Sequence, residues 1–215
     1  HPFDTLLQAE MQPDKKSAHP ELVEGRPVRG GRADSQFQIK LGERIVDCSV
    51  HQEADGKRVI TTQVGAAMVQ GKQTITTPAG TFEGTIVSIG NPHFFVAQQV
   101  DITWLEQHGR AIESHEAFPE KTNVEFVWRL PEQFGGSAAK SYGMRIYERG
   151  CGITLACSSG AAAFTGLLRS TGEINEDEHI SIAMPGAVVV AWLDAHGVIS
   201  LQAPAQEVFS VLLSD

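Results

Sequence analysis

From Phe37 onward the chain is dominated by short apolar runs separated by turn residues. Ile45–Val50, Arg58–Val64, Gln73–Thr77, Phe82–Ile89 and Phe94–Ala97 are rich in Val, Ile, Thr and Phe, the signature of strands. Asp55-Gly56 and Ala79-Gly80 stand between such runs as turn signals. Asp101 then precedes a stretch in which Ile102, Leu105 and Ile112 recur at near-helical spacing. Aspartate is a favoured N-cap, so a helix is predicted there. Strand patterns resume at Asn123–Leu130 and Gly143–Tyr147. A second helix is predicted from Ser158 to about Arg169. Four further strands follow, at Ile180–Met184, Ala187–Leu193, Val198–Gln202 and Val208–Leu213.

Strands with two interspersed helices favour an α+β fold with a curved, largely antiparallel sheet over a doubly wound one. The second helix, SSGAAAFTGLLRS, is apolar nearly all round, with Arg169 its only charge. A helix without a polar face is buried on all sides, so this one is expected to run through the middle of the strand layer. Before Phe37 the texture differs. Residues 13–35 are rich in Pro, Gly and charge and show no period, which reads as a linker or surface loop. Phe3–Met11 could form two helical turns. The expected division is a poorly structured segment over 1–44 and a folded lobe over 45–215.

Composition narrows the picture. At roughly 150 residues per domain, 215 residues make one large domain or two small ones. Hydrophobic residues at 41% and charged residues at 20% are ordinary for a globular chain and exclude collagen-like or wholly disordered readings. The longest apolar run, Ala187–Leu193, is far short of the roughly 20 residues that span a bilayer, and no secretory signal opens the chain. The first residue is His1, so upstream sequence removed or never included is expected. A net charge of −9 repels phosphate backbones and argues against general nucleic-acid binding. It leaves room for a small zwitterion, because one local Arg outweighs a distant field. Three cysteines, Cys48, Cys151 and Cys157, are too few and too unevenly spaced for a disulfide framework. They suit a reducing cytoplasm and leave open a reactive thiol. There is no P-loop, no cysteine pair at x₂ spacing, and no second His at helical spacing after His115-Glu116. Nucleotide and metal sites are therefore not expected.

The informative stretch is RIYERGCGITLACSSGAAAFTGLL. A strand brings Glu148 and Arg149 into a Gly-rich turn, and a short run then delivers Cys157 to the start of the buried helix. Free N–H groups and the helix dipole stabilise an anion there, so a lowered thiol pKa is expected for Cys157. Ser158 and Ser159 can cap the helix and hold a carboxylate or thiolate through their N–H groups. Glu148-Arg149 supplies one charge of each sign, matching the ammonium and carboxylate of an amino acid. The plainer alternative is a buried structural Cys157 beside a simple serine cap. A hydrolase reading also exists: Ala156-Cys157-Ser158-Ser159-Gly160 is a near miss to Gly-x-Ser-x-Gly, with Asp194 and His196 following in triad order. Asp194-Ala-His196-Gly197 reads better as a hairpin tip. A second cluster, Ser88-Ile89-Gly90-Asn91-Pro92-His93-Phe94, places Asn91 and His93 at a strand-to-strand corner, where an Asn amide offers donor and acceptor together; alone it could equally be an Asx turn. A third, FPEKTNVEF, begins a strand with Asn123.

Taken together, GNPHFFV, IESHEAFPEKTNVEFV and YERGCGITLACSSGA, in this order, resemble the diaminopimelate epimerase family over roughly Ile45 to the C-terminus. The resemblance implies a two-lobed fold in which each lobe wraps strands around a central helix, with an amino-acid substrate between the lobes. It implies an epimerase that needs neither pyridoxal nor metal, cytoplasmic and commonly homodimeric, making meso-diaminopimelate for lysine and peptidoglycan. Carried over by position, Cys157 matches the proton-abstracting cysteine of the second lobe. Asn91, Asn123, Glu148 and Arg149 match substrate-binding positions, and the backbone at Ser158 and Ser159 matches the anion-holding turn. His93 and Glu148 match groups that tune the thiols. Inverting a carbon needs two acid–base groups on opposite faces, and thiols near neutrality suit both roles. The family's first-lobe string Cys-Gly-Asn-Gly has no counterpart here, Cys48 lies in a predicted strand without Gly neighbours, and Cys151 shares the loop of Cys157. The chain is thus expected to be the C-terminal lobe of such an epimerase, with the first lobe missing or replaced. The alternatives are a non-catalytic lobe that binds an amino acid or a partner, or another cofactor-independent racemase.

Overall fold

The computed structural model describes residues 21–23, 35–41, 44–52, 57–131 and 140–206. The turns predicted for Phe3–Met11, most of segment 13–35, the Asp55-Gly56 turn and the strand predicted at Val208–Leu213 lie outside the described residues. In chain order the first strands are β1 (Glu21–Val23), β2 (Ser35–Leu41), β3 (Arg44–Gln52), β4 (Arg58–Gly65), β5 (Met68–Thr77), β6 (Gly80–Ser88) and β7 (Pro92–Val96). Helix α1 (Ile102–Glu113) leads to β8 (Asn123–Leu130), β9 (Lys140–Glu148) and the short β10 (Gly152–Ile153). Helix α2 (Ser158–Ser170) leads to β11 (Ile180–Ala183), β12 (Val188–Leu193) and β13 (Ile199–Ala205).

These strands form one sheet in the order β1-β2-β3-β4-β13-β12-β11-β9-β8-β7-β6-β5, with β10 paired to β9 outside that path. Most neighbours are antiparallel, as expected for an α+β chain. The exceptions are β7 with β8, joined through α1, and β9 with β11, joined through β10 and α2. Within the segment expected to be poorly structured, β1 and β2 are paired strands, and β2 runs antiparallel to β3. Regular structure therefore begins ahead of residue 45. Strand β5 reaches back well before the predicted Gln73. Its first residues are exposed, and a register shift falls between Val69 and Gly71. An exposed edge with a bulge has no reason to show apolar alternation, so the sequence pattern missed it.

The sheet curls around α2, which packs against β5, β6 and β7 on one side and β12 and β13 on the other. Ala161, Ala162, Ala163, Phe164 and Leu168 of α2 are buried in a core with Met144, Ile180, Ile182 and Ala191. The apolar character of the helix is thus explained by burial, as anticipated. Helix α1 covers the opposite face, where Leu105 and Ile112 meet Phe94, Val124 and Phe126. Asp101 caps it, accepting the Trp104 N–H at 2.7 Å. Its close approach to β9 depends on Gly109, since a Cβ there would stand 2.3 Å from the Tyr147 ring.

Side chains alternate across a strand, and this places the site. Phe94 and Val96 of β7, and Val124 and Phe126 of β8, face α1. The residues between them, His93, Phe95, Glu125 and Val127, therefore face α2. On β9, Tyr142 and Met144 belong to the α2 core while Tyr147 packs on the α1 side, which puts Glu148 on the α2 face at the strand end.

Candidate active site

Cys157 is the N-cap of α2, with extended backbone angles (φ −138, ψ 110). Its sulfur accepts from the Gly160 N–H at 3.3 Å and lies 3.4 Å from Ser159 Oγ. The capping role expected of Ser158 and Ser159 is thus taken by the thiol itself. Ser158 is exposed and Ser159 half-buried. The Cys157 N–H donates to Met184 Sδ at 3.4 Å, which ties the cap to the loop after β11. Gly160 lets the helix end come close to β8: a Cβ there would lie 3.0 Å from Glu125 Oε1 and 3.4 Å from Cys157 Sγ.

The lowered thiol pKa expected for Cys157 is not what the structure gives. Burial pushes the thiol up from 9.0 to about 11, against the lowering effect of the Ser159 and Gly160 hydrogen bonds, and the nearby Glu125 and Glu148 carboxylates add to the rise. The side chain is 6% exposed. A helix N-terminus offers only partial charges, and desolvation of an anion between two carboxylates outweighs it. The resting species is a protonated thiol.

Asn91 and His93 arrive from the corner between β6 and β7, a turn that Gly90 enters at φ 102. Asn91 Nδ2 donates to Ser159 Oγ at 3.3 Å, and Asn91 Oδ1 lies 3.2 Å from His93 Nε2. His93 is fully buried, and its Nδ1 lies 2.5 Å from Oε1 of Glu125, which is also fully buried. Burial holds the Glu125 carboxyl above its usual range, against the lowering influence of His93. Glu125 was not singled out in the sequence. The available signal was a lone carboxylate in an otherwise apolar strand, NVEFV.

The remaining expected residues divide. Glu148 is half-buried, accepts from Thr154 Oγ1 at 2.5 Å, and acts electrostatically on Cys157. Asn123 is held in the scaffold: its Nδ2 donates to Pro92 O and its Oδ1 accepts the Arg149 N–H, both at 2.9 Å. Its amide thereby locks β7 to the turn after β9. The Arg149 side chain is exposed and reaches Glu120 O at 3.4 Å. The same turn is anchored from α1 by buried Glu113, which accepts the Gly150 N–H at 2.8 Å and lies 3.6 Å from Lys121 Nζ. Glu113 was also missed in the sequence, because its partner is a backbone amide 37 residues away.

Of the other cysteines, Cys151 is exposed, and Cys48 is buried on β3 beside Thr62 Oγ1 and Val46 O. The hydrolase alternative loses its geometry. Asp194 Oδ1 accepts the N–H groups of His196 and Val198, at 2.8 and 2.9 Å, which makes the hairpin tip between β12 and β13. Among the described residues no group of three His, Cys, Asp or Glu side chains could hold a metal ion, and no helix is long and apolar enough to cross a membrane.

The sequence model of the family described as diaminopimelate epimerase matches residues 85–208, more than half of the chain. A diaminopimelate epimerase of Bacillus pumilus (strain SAFR-032) is 29% identical over 191 residues, covering 81% of this chain and 64% of that protein. One from Elusimicrobium minutum (strain Pei191) is 37% identical over 136 residues, covering 61% of this chain and 45% of that protein. The chain therefore spans less than two thirds of the length of either relative. Among solved structures, a hydroxyproline epimerase from Agrobacterium vitis with bound trans-4-hydroxy-L-proline superposes with a TM-score of 0.66 at 10% identity, covering 82% of this chain and 59% of that one. At that identity the likeness speaks for the fold.

Proposed function

The chain belongs to the diaminopimelate epimerase family, and from that premise we propose that it supplies one half of an amino-acid epimerase site, with Cys157 as one of the two acid–base groups. The observation that supports this reading most is a buried thiol that caps α2 and meets Ser159 Oγ, with Asn91 and then His93 in line behind the serine and Glu148 acting on the thiol electrostatically. The substrate in this reading is LL-diaminopimelate, converted to the meso form in lysine biosynthesis without a cofactor. A second thiol comes from a lobe that this chain does not contain. The working protein is a cytoplasmic homodimer.

In this mechanism the substrate α-carboxylate lies against the first turn of α2, where the N–H groups of Ser158 and Ser159 have no partner within the helix. The α-ammonium lies against Glu148. That pairing removes one of the two negative charges that hold the Cys157 proton, so binding itself moves the thiol toward the thiolate. Cys157 then takes the α-proton from one face while the second thiol returns one to the other. In the reverse direction Cys157 is the acid. The carbanion is stabilised by donors fixed at the helix end in surroundings that exclude water. Arg149 binds the distal part of the substrate, and Asn123 acts through the turn it braces.

The test is a chiral assay of LL-diaminopimelate with this chain, alongside backbone NMR. Substrate should shift the Ser159 and Asn91 amides, and no meso product should form, because only one acid–base thiol is at hand. Meso product abolished by Cys157→Ala would overturn the requirement for a second lobe. An absence of amide shifts at millimolar substrate would overturn the amino-acid site.

A further inference from the structure

Glu125, the buried partner of His93 behind the thiol, is not among the residues matched to the family. His93 and Glu125 are fully buried on adjacent strands, and Glu125 Oε2 is buried without a hydrogen-bond partner. Replacing such a pair by packed apolar side chains often stabilises a protein, so stability alone does not explain it. The pair is joined to the site through a run of contacts: His93 Nε2 to Asn91 Oδ1 at 3.2 Å, Asn91 Nδ2 to Ser159 Oγ at 3.3 Å, and Ser159 Oγ to Cys157 Sγ at 3.4 Å.

The chemistry of the atoms orients each link once the thiol is ionised. A carbonyl oxygen only accepts, so His93 Nε2 carries a proton. Ser159 Oγ accepts from Asn91 Nδ2, and toward the thiolate, which has no hydrogen of its own, the Ser159 hydroxyl is the donor. With Nε2 protonated, a bare Nδ1 facing a carboxylate would set two acceptors 2.5 Å apart. A second proton must therefore lie between Nδ1 and Oε1, on one atom or the other.

We propose that Glu125 is a positioning residue for Cys157: by holding a proton at Nδ1 of His93 it fixes Nε2–H toward Asn91, and so sets the direction of a relay that ends with the Ser159 hydroxyl donating to the sulfur. The inference rests on Cys157 being the acid–base thiol of the proposed reaction, but the relay is read without turnover.

Two titratable groups act on the thiol electrostatically, Glu125 from β8 and Glu148 from β9, and a third, His93 from β7, is joined to it only through Asn91 and Ser159. Glu125 acts on it in two opposed ways. Through space its negative charge disfavours the thiolate. Through the relay it favours the thiolate, by aiming a donor at sulfur. The isosteric change Glu125→Gln separates them. It removes the charge and the shared proton, and an amide can either donate to Nδ1 or accept from it, so the polarity of the ring is no longer enforced.

The experiment measures iodoacetamide alkylation of Cys157 at pH 9 by peptide mass spectrometry, with proton NMR of the His93 ring, on the chain without substrate. Glu125→Gln should slow alkylation at least threefold, and Ser159→Ala should slow it as well. Glu125→Gln added to Ser159→Ala should cause no further slowing. A low-field proton on His93 Nδ1 should be present in the parent chain and in Ser159→Ala but absent in Glu125→Gln. Glu125→Asp, which draws the carboxyl back from Nδ1, should also slow alkylation and provides a second variant should Glu125→Gln fail to fold. Faster alkylation in Glu125→Gln would mean that charge through space is all that Glu125 contributes. An unchanged rate would mean a purely structural role. Equal slowing with and without Ser159 would mean that the relay is not the route. Each of these overturns the proposal. A chain without turnover or substrate binding would bear only on the proposed function.

Discussion

Iodoacetamide at pH 7 should modify Cys157 about a hundredfold more slowly than a cysteine in an unstructured peptide, on ionisation grounds alone. The thiol is pushed from 9.0 to about 11 by burial and by Glu125 and Glu148, with the Gly160 N–H and Ser159 hydroxyl offsetting only part of the rise. Each unit of pKa is tenfold in the thiolate population, and the thiolate is the nucleophile, so two units give about a hundredfold. Restricted access to a side chain that is 6% exposed slows the reaction further, but that part does not vary with pH. A rate profile from pH 7 to 11.5, read on the Cys157 peptide, separates the two contributions. The ionisation part should climb about tenfold per pH unit and level off near 11. Stability should follow the same group. The folded state keeps the proton after the unfolded chain has lost it. This contribution is therefore complete below pH 9 and is lost as pH rises through about 11. At two units it amounts to about 3 kcal/mol, and Cys157→Ser should remove that part of the pH dependence. A midpoint at or below pH 9 would refute the reasoning and return the helix N-terminus to dominance.

Gly109→Ala should destabilise the chain by about 1–3 kcal/mol in urea unfolding, because its Cβ would overlap the Tyr147 ring; Tyr147→Leu in the same chain should recover part of the loss, and full stability of the single variant would contradict the packing of α1 on β9. Glu113→Ala should cost about 1–3 kcal/mol by leaving the Gly150 N–H without its acceptor, and should broaden the NMR signals of Glu148 and Arg149; unaltered signals there would mean that the turn holds itself. Self-association at micromolar concentration is expected in light scattering, since edge strand β5 exposes Met68 and the surface also exposes Leu155 and Val188; a sharp monomer across a dilution series would contradict it.

Local pattern carried much of the fold. Asn123–Leu130 is a strand with the predicted bounds, α2 starts at Ser158 as expected, and Asp101 caps α1. Each rests on nearest-neighbour chemistry that a few adjacent residues contain. What could not be read is tertiary. The thiol environment depends on how far α2 is drawn into the sheet, and that depth is set by Gly160 against Glu125 and by Met184 beneath the Cys157 N–H. The N-terminal position of Cys157 was legible, but its desolvation was not, and the sign of the pKa shift followed the latter. Asn123, matched to a substrate-binding position, is also tied at both ends of its amide to Pro92 and Arg149, contacts that no local sequence pattern contains. Glu125 and Glu113 each sit in apolar or helical contexts where a carboxylate has no local partner, and only the assembled fold supplies one.

In the proposed reaction Cys157 exchanges the α-proton of an amino acid held between this lobe and another. The most direct measurement joins the first half of the Bacillus pumilus relative to this chain and follows LL-diaminopimelate in deuterated water by chiral separation and mass spectrometry. Meso product carrying one deuterium at the α-carbon is expected, absent from this chain alone and abolished by Cys157→Ala in the joined protein. Deuterium exchange that survives Cys157→Ala, or a joined protein that folds and binds the diamino acid yet exchanges nothing, would contradict it.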